Sequence, residues 1–159
     1  MGFLRDYVAT RRDDQELGRG VWRRAHDRFQ RGLDRYHQML EGVTDLDLRA
    51  GAIPIANDLA DLLPRVREVC AEAHRRAPSE TQDIPASKGG YLSDVHRQLS
   101  RSGNAMAQTA EALTMARFAA TSANQPVGDP EGDPRVQGIE RRAASVHECV
   151  AQAEALLRD

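Results

Sequence analysis

The chain has 159 residues, of which 40% are hydrophobic and 29% are charged, a composition typical of one folded domain rather than a disordered segment. Its formal net charge of -2 argues against nucleic-acid binding over the whole surface, because such binding needs a basic footprint. Since no apolar run approaches the roughly 18 residues of a membrane-spanning helix, we predict no transmembrane segment.

The N-terminal stretch is short and amphipathic, and two interpretations compete for it. Its large apolar residues are interrupted by Arg5 and Asp6, which a signal peptide would not carry in that position. We therefore expect a cytoplasmic protein in which this stretch docks on the rest of the fold. The alternative is that it inserts in a membrane interface. The apolar residues concerned are Phe3, Leu4, Tyr7 and Val8.

The first long segment, residues 13–43, shows a heptad pattern that predicts an amphipathic helix. Gly18 and Gly20 near its start are candidate breaks. His26 lies in the middle of the apolar pattern, either as a core histidine held by a hydrogen bond or as a core polar switch that senses pH. The pattern consists of Trp22, His26, Phe29, Leu33, Tyr36, Leu40 and Val43.

Four arginines lie on the opposite side of this predicted helix, at spacings of four, three and four residues. They form a candidate anion-binding or partner-binding face, because guanidinium groups suit phosphate. The alternative, which we favour, is a solvated face in which Asp27 pairs with Arg31 one turn away. No aromatic residue interleaves with them to stack on bases. These residues are Arg24, Arg28, Arg31 and Arg35.

Helical periodicity continues to the end of the chain, and no segment has the alternation of a strand. Pro54 suits the first turn of the second helix, and Pro64 predicts a kink inside it. The loop that begins at Pro78 is long for a connection between bundle helices, and Gly103 is a candidate bend in the third helix. The predicted helices cover about 13–43, 54–77, 91–124 and 135–158.

The four helices predict an all-α single domain over residues 1–159. The first and third are long and the second and fourth are shorter, which suggests an antiparallel up-down-up-down four-helix bundle. A short N-terminal helix is an optional fifth element.

Residues that could carry chemistry are few. Cys70 and Cys149 share no metal-binding or redox spacing and are interpreted as buried small hydrophobic residues. The five histidines include no Glu-x-x-His pair of the kind that binds metal in helical bundles. We therefore predict no catalytic residue, no metal site and no cofactor.

Two functions remain. The first is a non-enzymatic scaffold or adaptor that acts through protein–protein interaction, with a protein partner or by self-association as a coiled-coil homodimer, because heptad patterns also serve intermolecular pairing. The alternative is a regulatory module that binds nucleic acid or an anionic membrane through Arg24, Arg28, Arg31 and Arg35.

Overall fold

The computed structural model describes residues 2–122 and 132–158, and the side chains of residues 2–119 and 132–158. Within these ranges the chain is helical and contains no strand, which confirms the predicted all-α class for the described part of the chain. The helices are α1 (Gly2–Leu17), α2 (Val21–Glu41), α3 (Leu46–Arg76), α4 (Tyr91–Ser122) and α5 (Pro134–Arg158), with a short 3-10 turn at Lys88–Gly90.

The predicted first helix is two helices, because the chain breaks at Gly18–Gly20. The break leaves α2 with 21 residues, so the two longest helices are α3 and α4, with 31 and 32 residues. The long pair is therefore not the first and third predicted segments. Helix α4 continues through Gly103 without interruption. The predicted end of the third helix at residues 123–124 lies outside the described residues, as do residues 125–131 between the third and fourth predicted helices.

Helix α3 begins at Leu46 rather than at the predicted residue 54, so both Pro54 and Pro64 lie inside it. Its start is set by Asp45, whose side chain accepts a hydrogen bond of 2.9 Å from the backbone N–H of Leu48. This is an N-cap, which satisfies a helix donor that has no partner within the helix.

Helices α2 and α3 are antiparallel neighbours. The Tyr36 hydroxyl donates a 3.0 Å hydrogen bond to the carbonyl of Ala52 near the start of α3. The Trp22 indole N–H donates to the carbonyl of Ala77, just beyond the end of α3. Helices α4 and α5 are also antiparallel and form the most extensive helix pair.

The other two neighbouring pairs, α2 with α4 and α3 with α5, run parallel. In the second pair, residues 50–58 of α3 lie beside residues 136–147 of α5. The ring of Trp22 meets that of His96 at 6.2 Å, and Gly32 lies against Met106, so α2 and α4 advance in the same direction. Successive helices from α2 to α5 thus alternate in direction. However, α3 and α4 follow each other in the chain without packing extensively against each other, so the predicted antiparallel up-down-up-down bundle is not confirmed. The long loop after α3 carries the chain across the bundle.

The core of the bundle is formed by the predicted apolar stripes. The largest fully buried side chains include Trp22, Phe29 and Tyr36 of α2. The small residues Ala105 and Ala110 of α4 and Ala153 of α5 are also buried, which allows close helix approach. Because α1 contributes only Leu17 to this core, most of its length is left on the outside.

Candidate functional site

Helix α1 joins the bundle through a turn that only glycine fits. Gly18 has φ +70, and a Cβ added there would lie 2.8 Å from the carbonyl oxygen of Ser79 and closer still to the ring of His74. Ser79 is itself buried and accepts a hydrogen bond of 3.3 Å from the backbone N–H of Val21. The direction in which α1 leaves the bundle is therefore defined by packing.

Ion pairs hold the last turns of α1 against α3. Nη2 of Arg67 lies 2.8 Å from Oδ1 of Asp13 and 2.9 Å from Oε2 of Glu16. Hydrogen bonds from Arg12 and Arg67 hold the pKa of Glu16 below its ordinary value. These contacts anchor the C-terminal half of α1. The N-terminal half is exposed, and its Leu4 and Val8 border an open cleft beside Arg67.

The N-terminal half of α1 carries an exposed apolar stripe. At 100° per residue, the mean direction of this stripe is about 180° from that of Asp13 and Glu16, the residues bound to α3. The expected docking of this stretch on the bundle is therefore not observed. The stripe, called the α1 stripe below, consists of Phe3, Leu4, Tyr7 and Val8, which are 90%, 72%, 62% and 64% exposed.

The four arginines of α2 lie on its exposed side, as their spacing predicts, and are called the α2 basic face. Arg28 donates a hydrogen bond to Asn104 of α4. Asp27 does not pair with Arg31, because it accepts from Arg23 at 3.1 Å instead. Within the described part of the chain, no member of the face forms an ion pair. The face comprises Arg24, Arg28, Arg31 and Arg35.

His26 is buried, with 3% of its surface exposed. Its Nδ1 lies 3.0 Å from Oδ1 of Asp27, so this core histidine lies within hydrogen-bonding distance of a carboxylate. Its role as a core polar switch stays a prediction.

The two cysteines are free and lie in different surroundings. Burial raises the pKa of the Cys70 thiol to about 12, and burial also raises that of half-buried Cys149. Because the thiolate is the reactive form, both surroundings suppress nucleophilic chemistry at neutral pH.

An open groove between α3 and α5, called the α3–α5 groove, was not predicted from the sequence. Its volume is about 760 Å³, and it is lined in part by Pro54, Ile55, Asp58, Val136, Glu140 and His147. Neither Asp58 nor Glu140 forms an ion pair with another residue in the described ranges. Sequence reasoning missed this surface because its two acids are isolated on helices distant in the chain, and only parallel packing of α3 and α5 brings them together.

Across residues 2–122 and 132–158, no three His, Cys, Asp or Glu side chains are placed to share a metal ion. None of the helices in the described part of the chain is long and apolar enough to cross a membrane. The sequence matches no protein-family model, no curated protein and no solved structure.

Proposed function

We propose that this chain is a non-enzymatic interaction protein, a scaffold or adaptor, that binds a protein partner through the α1 stripe. The observation that supports it is four large apolar side chains exposed together on a helix that is anchored at its other end. Contiguous exposed apolar surface with a polar surround is typical of an interaction site. Apolar residues on successive turns of one helix suit a partner with an apolar groove.

The energetics favour binding through this surface. Moving each of these side chains from water into an apolar groove contributes about 1.5–3 kcal/mol. The helix is formed and its direction is held by Arg67 and the Gly18 turn, so less ordering entropy is lost on binding than for a flexible segment. The bundle thus acts as a rigid support for one recognition helix.

The test compares two variants that add the same charge to α1. Tyr7→Asp places the charge within the stripe, and Ala9→Asp places it about 200° away around the helix. We expect tagged wild type and Ala9→Asp to capture a protein from lysate that Tyr7→Asp does not capture. The purified components should reproduce the difference in calorimetry. If Tyr7→Asp captures and binds the same proteins as wild type, the proposal is overturned.

A second candidate function is binding of nucleic acid or an anionic membrane through the α2 basic face. The observation that favours it is a contrast among arginines of the same chain. Arg23 and Arg67 are ion-paired, whereas the members of the basic face have no carboxylate partner among the described residues. Arg28, Arg31 and Arg35 also line a shared groove with Gly103 of α4.

This second function predicts strongly salt-dependent binding. Titration of duplex RNA and of vesicles with anionic lipid against increasing salt measures it. Arg31→Gln/Arg35→Gln should reduce the salt slope by about 2, while Arg141→Gln/Arg142→Gln on α5 removes the same charge and should leave the slope unchanged. Equal effects of the two double variants would show that only net charge matters and would exclude a specific face.

A further inference from the structure

The α3–α5 groove and the α1 stripe have complementary surfaces. The groove has an apolar floor that includes Ile55 and Val136, and it carries the carboxylates of Asp58 and Glu140. Both acids are exposed, and both lack an ion-pair partner within the described ranges. A ligand for this groove therefore needs apolar side chains together with positive charge.

Helix α1 offers this combination. Arg11 follows Tyr7 by one turn and lies on the same side of the helix as the stripe, and Arg5 lies at one edge of the stripe, about 60° around the helix from Val8. Both arginines are exposed, and neither is ion-paired in the part of the chain that the structure describes. Asp6, the one acid in the N-terminal half, lies about 60° around the helix from Phe3, at the other edge of the stripe. The two arginines therefore leave the stripe with a net positive charge.

We infer that a second copy of this chain inserts its α1 stripe into the α3–α5 groove. This rests on the proposed function, since it identifies the protein partner of α1 as the chain itself. Phe3 and Tyr7 pack on the apolar floor, and Arg5 and Arg11 lie near Asp58 and Glu140.

In the observed conformation, the α1 stripe cannot fill the α3–α5 groove of its own chain. Phe3 and Tyr7 lie on the other side of α1 from the residues that Arg67 holds against α3, while Leu4 and Val8 border the cleft beside Arg67. The groove lies on α3 and α5. Rotating α1 to present the stripe inward would break both ion pairs of Arg67. Insertion between copies leaves them intact.

The dimensions of the two surfaces agree. From Phe3 to Arg11 the stripe and its flanking charge extend about 12 Å, and the groove extends about 12 Å along residues 50–58 of α3. Phe3 and Tyr7 bring roughly 300 Å² of exposed surface to one insertion. Two reciprocal insertions, with both surfaces counted, come close to the roughly 1,000 Å² that a specific interface needs. Reciprocal exchange gives a closed two-fold dimer rather than an open chain.

Light scattering of the full chain after size exclusion, at concentrations up to about 0.1 mM, tests the inference. We expect wild type to show twice the 17.6 kDa mass of one chain. Asp58→Arg/Glu140→Arg should raise the dimer dissociation constant by at least about ten-fold, because it places like charges against Arg5 and Arg11. Glu80→Arg/Asp83→Arg, which makes the same charge change in the loop after α3, should leave the dimer intact.

Exchanging the charges of α1 and the groove gives a variant that is expected to regain the dimer. A misfolded protein would not give this result. Adding Arg5→Glu/Arg11→Glu to Asp58→Arg/Glu140→Arg should restore the dimer, and thermal unfolding followed by circular dichroism verifies that each variant is folded. A monomeric wild type overturns self-association, as does a dimer that the groove variant leaves unchanged. If Tyr7-dependent binding of another protein persists in that case, the proposed function stands. If Tyr7→Asp changes no binding at all, the proposed function fails as well.

Discussion

Helices α1 and α2 are consecutive and both amphipathic, yet their apolar residues have opposite environments. Phe29 of α2 is fully buried, whereas Phe3 of α1 is 90% exposed. The difference arises because α2 is surrounded by α3 and α4, while α1 contacts the bundle mainly through its last turns. An amphipathic pattern shows which side of a helix favours burial, but it does not show whether another helix of the same chain buries it.

The largest difference between α1 and α2 is expected when a phenylalanine side chain is removed from each helix and the loss of stability is compared. Phe29→Ala leaves a cavity in the core and should lower the free energy of unfolding by about 3–5 kcal/mol. Phe3→Ala should change it by less than about 0.5 kcal/mol, since an exposed side chain loses little on truncation. Urea denaturation of the two variants at a concentration where the chain is monomeric measures both values, and equal losses would show that α1 is docked in solution.

The junction between the two helices should be the next most sensitive position. Gly18→Ala forces a positive φ on alanine and a clash with Ser79 and His74, so we expect a loss of about 3 kcal/mol. Gly89→Ala is a matched control, because Gly89 also has a positive φ but open space around its Cβ position. It should cost only about 1 kcal/mol. Thermal unfolding of both variants isolates the steric part, and similar losses would contradict the tight junction.

The start of α5 differs from the end of α1 in what its charged residues do. At the end of α1 they form ion pairs with α3, whereas at the start of α5 a carboxylate caps the helix. Asp133 is buried, and its Oδ1 accepts a 2.9 Å hydrogen bond from the backbone N–H of Arg135 as an N-cap. Its hydrogen bonds with the Arg135 side chain hold the pKa of Asp133 below its ordinary value. The folded state therefore favours the carboxylate, which adds stability at neutral pH that is lost as the pH falls through the folded-state pKa.

Asp133→Asn keeps a capping side chain but removes this charge. At pH 7 it should lower the free energy of unfolding by about 1–2 kcal/mol, and the difference from wild type should shrink below about pH 4. Chemical denaturation at a series of pH values checks this. A difference that stays constant with pH would mean that the charge of Asp133 contributes nothing.

The smallest effects are expected on the surface of α2, where paired and unpaired arginines lie on one helix. Arg23 contacts Asp14 at 2.9 Å and Asp27 at 3.1 Å, with its side chain 20% exposed, so Arg23→Gln should cost about 1 kcal/mol. Arg31→Gln should cost less than about 0.3 kcal/mol, because no ion pair is lost. Equal costs in urea denaturation would indicate that Arg31 has a structural contact in solution.

Local patterns predicted much of the fold. The apolar periodicity of Trp22, Phe29 and Tyr36 indicated the buried side of α2, and the same reasoning applied to Val146 and Val150 of α5. The start of α3 was missed because Pro54 matches a first helical turn, whereas the cap at Asp45 lies earlier in the chain. A favourable N1 residue is tolerated inside a helix when packing compensates for the lost hydrogen bond.

The candidate surfaces were predictable only in part. The outward direction of Arg24, Arg28, Arg31 and Arg35 follows from helical spacing alone. The absence of an Asp27–Arg31 pair did not follow, because Arg23 competes for the same carboxylate. The exposure of the α1 stripe depends on where Gly18 directs the helix.

The sequence by itself determined the helical class and the buried sides of the helices of the bundle, because helix formation and amphipathicity depend on residues within about one or two turns. The tertiary structure alone decided which helices are neighbours and in which direction they run. It also decided that the α1 stripe stays uncovered and that Asp58 and Glu140 meet in one groove. These features depend on contacts between residues distant in the chain, which no local pattern records.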